Sequence, residues 1–346
     1  MIENFDNIYN INKEMRFYTQ ERIVIPIVQS IYDEFIDKGA EYELLRLISV
    51  LPKDEYSIIS NSLSTHVTRE KSAWITQFYP DIVTDKETVA YIGAVTELLW
   101  TIALIIDDIE DNDKQRANMD SVWVKYGREK SYSACVAVFQ LLQKDMNFRY
   151  PILKSGDLMK EKVDIAMNSL KEHSKLSFNS SVDTFNNNYY KRAIFHANFP
   201  FEILFNDEDS KIIKNIAIKS IQLINNSGQL LNDMKDIIPN SNTGKEHFGD
   251  IRNGTITIPL KLLYDKLASN QQLILSQMIG KELSKEDKII IDEFIKITKL
   301  QENVTQLVIE GYQLAFDLIS QILSKERVIL LKNWIEYKTQ QALTLF

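Results

Sequence analysis

Four carboxylates stand together directly after an apolar stretch of the sequence. They are Asp107, Asp108, Glu110 and Asp111, and the apolar run 98–106 precedes them. On a helix Asp107 and Asp111 share a face because they are four residues apart, and Asp108 lies beside them. Carboxylates this close repel one another unless a cation lies among them. Their oxygens suit Mg²⁺, which binds a few carboxylates together with phosphate oxygens and water, whereas the structural alternative is a solvated acidic helix end.

A second cluster of the same form follows another helical segment, residues 221–231. It contains Asn232, Asp233 and Asp236, and Asn232 and Asp236 share a helical face. Two such helix ends can face each other across a helical bundle and hold metal ions between inward-pointing side chains. Metal ions held in this way would bind a diphosphate and stabilise it as it leaves.

Both clusters, with several residues between and after them, resemble the trans-isoprenyl diphosphate synthase (polyprenyl synthetase) family, from residue 60 to about residue 340. The family's two Asp-rich motifs are matched by DDIED (107–111) and NDMKD (232–236). Gln229 stands at the Gln of the family's Phe-Gln pair, and Gly228 replaces the Phe. The remaining matches, in the family's order, are Arg116 after the first motif, Lys191 at the Lys-Thr position, Lys245 in a Gly-Lys pair and the segment 250–259.

The resemblance implies an all-α fold, the class I terpenoid synthase (isoprenoid synthase) helical bundle around a central apolar cavity. It implies an enzyme that ionises an allylic prenyl diphosphate with three Mg²⁺ ions. A departing diphosphate needs concentrated positive charge, and the carbocation left behind needs a cavity that excludes water. The implied residues are Asp107, Asp108, Asp111 and Asp233 as catalytic carboxylates, Asp107, Asp111, Asn232 and Asp236 as metal ligands, and Arg116, Lys191 and Lys245 as diphosphate-binding cations.

One wall of the expected cavity is the helix that ends at the first motif. Leu99, Ile102 and Ala103 precede Asp107 by one and two turns and point the same way. Family members set chain length with bulk at the positions of Ile102 and Ala103, and neither residue is aromatic here, which predicts room for a long prenyl chain. Ordinary core packing is the alternative for these side chains.

The predicted cavity also includes Gly228 and Gln229. A Gly inside a helix costs about 1 kcal/mol relative to Ala, so Gly228 is expected to have a reason. Three reasons stay open at this point: the missing side chain opens space beside the carbocation, it exposes a backbone carbonyl to that cation, or it allows close helix packing.

Elongating members of the family bind isopentenyl diphosphate with a basic element that is largely missing here. At its position residues 65–72 read THVTREKS, which lacks the family's glycines and proline and contains Glu70. Ala117 replaces the second arginine after the first motif. Charge-assisted hydrogen bonds are worth about 1.5–3 kcal/mol each, so the sequence predicts that this second diphosphate site is missing or weakened.

Three interpretations of function follow. The main one is a terpene synthase that ionises one prenyl diphosphate and then cyclises it or eliminates a proton, and Asn232 slightly favours it. The second is a prenyltransferase, which either uses an aromatic small molecule or a peptide as acceptor or elongates polyprenyl diphosphates. The third is a non-catalytic partner subunit, against which both acidic motifs and the cations Arg116, Lys191 and Lys245 argue.

Composition predicts one all-helical domain over residues 1–346, with N-terminal helices of unassigned role in residues 1–60. The chain is 45% apolar and 25% charged, with only ten Gly and seven Pro, as in ordinary globular proteins. Apolar residues recur at helical spacing at 213, 216, 217, 221 and 224. Sustained alternation typical of strands is absent from the sequence.

The remaining sequence features bear on partners and location. A net charge of −8 argues against nucleic acid, and the single cysteine, Cys135, suits a reducing cytoplasm. The N-terminus does not resemble a signal peptide. The run 92–106 contains Glu97 and is too short for a transmembrane segment, so it is predicted to be a core helix. The family resemblance implies a prenyl diphosphate substrate and a homodimer.

Overall fold

Helices make up nearly all the regular structure of this protein. The structure, a computed structural model, describes residues 39–65, 70–116, 119–238 and 247–344. Within those ranges the only strands are β1 (Gln115–Arg116) and β2 (Met119–Asp120), which pair antiparallel. The predicted all-α fold class is therefore confirmed. The helices are α1 Ala40–Ile48, α2 Lys53–Thr65, α3 Glu70–Thr76, α4 Lys86–Glu110, α5 Val122–Tyr126, α6 Arg128–Arg149, α7 Ser155–His173, α8 Val182–Ala197, α9 Phe199–Leu204, α10 Lys211–Ile237, α11 Gly249–Asn253, α12 Ile258–Lys266, α13 Ser269–Met278, α14 Lys285–Thr298, α15 Leu300–Ile319 and α16 Lys325–Thr344.

The chain divides into two compact units, each assembled from three separate segments. The first unit comprises Met1–Lys160, Phe199–Lys214 and Ile322–Trp334. The second comprises Glu161–Asn198, Asn215–Gln321 and Ile335–Phe346. A single domain over residues 1–346 stays a prediction, and most of the N-terminal helices expected in residues 1–60 fall on residues 1–38, outside the described ranges.

Helix α4 is the central helix of the first unit. Its first turn is capped by Asp85, whose carboxylate accepts a hydrogen bond from the backbone N–H of Glu87 at 3.1 Å. Helices α1, α3, α6 and α9 contact α4, and its apolar side chains are buried on nearly every face, as expected of a core helix. The prediction for residues 92–106 is confirmed. By length and composition α4 also resembles a membrane span, but 83% of its most apolar window is buried inside the protein.

Close contacts attach the neighbouring helices to α4. A Cβ added to Gly93 would lie 3.5 Å from the Cβ of Ala40 and 3.6 Å from that of Ser72, so α1 and α3 both approach closely. The Ser72 hydroxyl also donates to the buried carboxylate of Glu97 at 2.8 Å. These contacts hold α4 rigidly, and α4 carries the first acidic motif at its C-terminal end.

The second unit contains the second acidic motif on α10, and the Tyr189 hydroxyl of α8 donates to Asp233 of that motif. Helix α12 contacts α8, α14 and α15. The Asn188 amide of α8 donates to the Ser169 carbonyl of α7 at 2.7 Å. Helices α10 and α15 come close at Ser227 and Gly311, because a Cβ on Gly311 would lie only 2.2 Å from the Ser227 hydroxyl oxygen.

Candidate active site

An arginine holds two carboxylates of the first acidic motif. The Arg116 Nε lies 2.9 Å from both carboxylate oxygens of Asp108, and its Nη2 lies 2.6 Å from Asp108 Oδ1 and 3.2 Å from Asp107 Oδ2. Asp108 is only 2% exposed. Burial alone would lower the pKa of Arg116, but the bonds to Asp108 and the charge of Asp107 outweigh it and raise that pKa. The guanidinium is therefore a permanent cation inside this motif.

Asp107 and Asp111 keep the helical spacing that the sequence predicts. Helix α4 ends at Glu110, but Asp111 still has helical dihedral angles, and its N–H donates to the Asp107 carbonyl at 2.9 Å. Both residues are half-buried. Glu110 is exposed and accepts a hydrogen bond from the Tyr132 hydroxyl. The half-buried Asp107 and Asp111 therefore differ in environment from the exposed Glu110.

Hydrogen bonds hold the segment that follows the first motif in place. The Asp113 carbonyl accepts from the Ser121 hydroxyl at 2.6 Å and from the Trp123 indole N–H at 2.8 Å. Arg128 donates to the Ile109 carbonyl at 2.9 Å, near the C-terminal end of α4, where a cation is favourable. Its guanidinium stacks 4.5 Å from the centre of the Trp123 ring. Trp123 therefore supports this segment by packing and one hydrogen bond.

The predicted cavity residues of α4 lie along the helix below Asp107. Leu99 and Ile102 are buried, and Ala103 is half-buried. Trp100 is half-buried, and the Lys71 ammonium lies 4.6 Å from the centre of its ring. Lys71 is one of the few basic residues left where the family binds its second diphosphate, and here one of its contacts is with an aromatic face.

In the second unit, Asp233 is buried among hydrogen-bond donors. Its carboxylate accepts from the Tyr189 hydroxyl and, at 2.7 Å, from the Gln229 amide. Burial raises the pKa of Asp233 to about 6, although both donors and the positive charge of Arg192 act to lower it. Burial and the Asp233 charge raise the pKa of Tyr189 well above its usual value. Tyr189 therefore stays protonated and donates to Asp233.

The other two residues of the second motif have different surroundings. Asn232 is exposed. The Asp236 carboxylate accepts from the backbone N–H groups of Gly249 and Asp250, at 3.0 Å each, and so caps the short helix α11. Each carboxylate oxygen has a second lone pair, so this cap does not preclude the ligand role predicted for Asp236.

Gly228 faces open space in the second unit. A Cβ added to it would meet no heavy atom within 4 Å among the described residues. The close helix packing that the sequence left open occurs one residue earlier, at Ser227. Gly228 precedes Asn232 by one helical turn, so the open space borders the second acidic motif on the same face of α10.

The basic residues of α8 point in different directions. Lys191, which matches the family's Lys, makes an ion pair with Glu172 of α7 at 3.0 Å. The positive charge of Arg192 acts instead to lower the pKa values of Asp233, Tyr189 and His173. Neither Tyr189 nor Arg192 was among the predicted site residues, although their spacing of three already places them on one helical face.

The first and second motifs lie in different units, and their predicted meeting around shared metal ions stays a prediction. Lys245 and Arg69 lie outside the described residues. In the described ranges, no group of three or more His, Cys, Asp or Glu side chains is arranged as a ready-made metal site. The donor chemistry still fits Mg²⁺, which is usually held by one or two carboxylates together with substrate phosphates and water. Asp107, whose side chain is 35% exposed, and the half-buried Asp111 offer such oxygens.

Comparisons with known proteins identify the family of this chain. Residues 67–297 match the model of the family described as polyprenyl synthetase. The chain is 26% identical over 262 residues to a geranylgeranyl diphosphate synthase from Sulfolobus acidocaldarius, covering 70% of this chain and 77% of that protein. It is 26% identical over 232 residues to a geranylgeranyl diphosphate synthase from Saccharolobus solfataricus, covering 63% of this chain and 69% of that protein.

Solved structures show the same fold at low sequence identity. A decaprenyl diphosphate synthase from Rhodobacter capsulatus superposes with a TM-score of 0.73 at 12% identity, covering 92% of this chain and 98% of that one. A polyprenyl synthase from Caulobacter crescentus, solved with calcium and isoprenyl diphosphate, gives 0.71 at 14% identity, covering 89% and 97%. The predicted isoprenoid synthase fold is confirmed. Because the family model spans most of the sequence, the chain belongs to the polyprenyl synthetase family.

Proposed function

We propose that this protein is a prenyltransferase that ionises an allylic prenyl diphosphate and elongates it with isopentenyl diphosphate. The observation that carries the proposal is the end of α4, where a buried apolar helix leads directly into carboxylates that Arg116 holds in place. An apolar wall suits a hydrocarbon chain, and the carboxylates suit a metal-bound diphosphate. Both curated relatives are geranylgeranyl diphosphate synthases, which favours elongation over the cyclisation that the sequence alone made the main interpretation.

The residues of each unit have separate parts in this proposal. In the first unit Asp107 and Asp111 bind Mg²⁺, while Arg116 holds Asp108 and offers positive charge to the diphosphate. In the second unit Asn232 and Asp236 are the predicted ligands, and Asp233 is held by Tyr189 and Gln229. When bound, Mg²⁺ supplies the positive charge that stabilises the departing diphosphate. The number of ions, proposed as three, follows the family resemblance.

The apolar residues keep water away from the reacting carbons. Leu99 and Ile102 are buried along α4, and Ala103 leaves the wall without an aromatic obstacle. Exclusion of water protects an allylic cation from capture before the new carbon–carbon bond forms. Gly228, with open space beside it, leaves room near the second motif.

Terpene cyclisation is the second candidate function. It is favoured by the altered segment 65–72, where the family's basic element for isopentenyl diphosphate is lost. The one described cation of that segment, Lys71, contacts the face of Trp100. A chain that has lost this site would ionise one prenyl diphosphate without a second substrate.

A homodimer and a cytoplasmic location also stay predictions.

One experiment distinguishes the two functions. The purified protein is incubated with MgCl₂ and prenyl diphosphates of ten, fifteen or twenty carbons, with and without isopentenyl diphosphate, and products are identified by mass spectrometry. Longer prenyl diphosphates that form only with isopentenyl diphosphate support elongation. A hydrocarbon or terpene alcohol formed from the allylic substrate alone supports cyclisation. Absence of turnover with every combination contradicts both and favours a substrate of another class or a non-catalytic subunit.

A further inference from the structure

Two contacts show the directions in which side chains leave helix α8. On one side the Tyr189 hydroxyl donates to Asp233 of α10. On another side the Lys191 ammonium pairs with Glu172 of α7 at 3.0 Å. With 3.6 residues per turn, residues two apart in sequence lie about 160° apart around the helix. Lys191 therefore leaves the helix on the side nearly opposite to the second acidic motif.

Arg192 leaves α8 on the side of the motif. It follows Tyr189 by three residues, which places the two side chains about 60° apart around the helix axis. Burial and the positive charge of Arg192 lower the pKa of His173, whose ring lies 6.1 Å from that of Tyr189. Helical spacing and this effect on His173 both place Arg192 on the side of α8 that carries Tyr189, which is the side that contacts Asp233.

We infer that Arg192, rather than Lys191, is the cation of helix α8 that binds the diphosphate of the prenyl substrate; the inference rests on the proposed function. The family carries Lys followed by Thr at these positions, whereas this chain carries Lys191 followed by Arg192. A guanidinium presents five N–H donors in a planar fork, enough to serve a carboxylate and phosphate oxygens together. It also binds phosphate with two parallel hydrogen bonds, which an ammonium does not.

The Lys191–Glu172 pair does not itself exclude Lys191 from binding. The two side chains are 35% and 55% exposed, and such exposed pairs contribute little. Lys191 and Arg192 differ in the direction of their side chains. Helix α8 would have to rotate about its axis to bring Lys191 to the side of Asp233. Tyr189 and Asn188, both buried and hydrogen-bonded to neighbouring helices, oppose that rotation.

The test is the affinity for inorganic pyrophosphate, measured by calorimetry with MgCl₂ for the wild type, Arg192→Gln and the matched control Lys191→Gln. Loss of a charge-assisted bond corresponds to about a tenfold change. We expect Arg192→Gln to weaken binding by about tenfold or more and Lys191→Gln by less than about twofold. The reverse order, equal losses, or no pyrophosphate binding by the wild type overturns the inference.

One further variant and a measurement of folding make the result interpretable. Arg192→Lys retains the charge without the fork, so an intermediate loss is expected, and full affinity in Arg192→Lys together with a large loss in Lys191→Gln contradicts the inference. Circular dichroism and urea unfolding show whether each variant is folded. Because binding is measured without a prenyl substrate, wild-type protein that binds pyrophosphate through Arg192 but makes no prenyl product would contradict the proposed function, while Arg192 would still be the cation of α8 that binds pyrophosphate.

Discussion

Arg116 and Asp108 form a bidentate ion pair in which the carboxylate is almost fully buried. The pair joins Asp108 at the end of α4 to strand β1, where Arg116 follows eight residues later in the sequence. A buried charge with a removed partner is far more costly than the pair itself is favourable. The structural and binding contributions of Arg116 are therefore separable by mutation.

Replacing Arg116 with Gln should destabilise the protein by about 3 kcal/mol, because Asp108 becomes a buried charge without its cation. Urea unfolding followed by circular dichroism measures this change. The double variant Asp108→Asn/Arg116→Gln should recover part of the loss, since no buried charge remains. Equal destabilisation in the single and double variants would show that Arg116 acts through packing and not through its charge.

Removing a proposed metal ligand of the first motif should abolish most activity without unfolding the protein. Asp107→Asn and Asp111→Asn are each expected to lower kcat/KM by at least about a hundredfold, as for the loss of a group that stabilises developing charge. The matched control is Glu110→Gln, since Glu110 is exposed and contacts Tyr132. Product formation is measured at saturating MgCl₂. A comparable loss of kcat/KM in Glu110→Gln would contradict a specific role for Asp107 and Asp111 in metal binding.

The buried His173 should make the protein sensitive to acid. Burial, with the charge of Arg192, lowers the pKa of His173 to about 4, from an ordinary value of 6.5. The unfolded chain therefore binds more protons than the folded protein between these values, and the free energy of unfolding falls as pH drops from 6.5 towards 4. The slope reaches at most about 1.4 kcal/mol per pH unit for one group.

The matched variant for this effect is His173→Gln, which is neutral at every pH. The difference between the wild-type and variant free energies of unfolding, measured in urea at pH 7 and pH 4.5, isolates the contribution of His173. The wild type should lose more stability than the variant over that interval. Parallel losses would mean that other groups, such as the carboxylates, account for acid unfolding.

Two glycines of the second unit are expected to respond differently to the same substitution. Gly228→Ala should stabilise the protein by about 1 kcal/mol, because Ala favours a helix interior and the new Cβ meets no neighbour. Gly311→Ala should stabilise it less, because the new Cβ would overlap the Ser227 hydroxyl, and the Ser227 side chain would have to adopt another rotamer. Thermal unfolding of both variants tests the pair. A loss of stability in Gly228→Ala would contradict the open space beside Gly228.

Helix α4 shows what periodicity and composition can establish. An apolar run ending in closely spaced carboxylates predicted both a core helix and the helical spacing of Asp107 and Asp111, and the structure has both. These features are local, because hydrogen bonds between residues four apart determine the position of each side chain along the helix. The family resemblance extended this local information to the whole fold.

Helix α8 shows what the sequence could not establish. The match of Lys191 to a family position says nothing about the direction of its side chain, which depends on how α7 and α10 pack against α8. The same holds for Asp236, whose role as a cap depends on the return of Gly249 and Asp250 to its carboxylate. Contacts between segments distant in sequence decide these details, and helical periodicity does not contain them.

The edge-to-face packing of Trp74 and Trp334, with ring centres 5.1 Å apart, has a consequence for synthesis in the cell. The first unit takes helix α3 from the early part of the chain and the segment ending at Trp334 from its late part. A ribosome must therefore translate residue 334 before this unit has all its pieces. Until then the indole of Trp74 lacks the ring of Trp334, so this aromatic contact can form only after residue 334 has emerged from the ribosome.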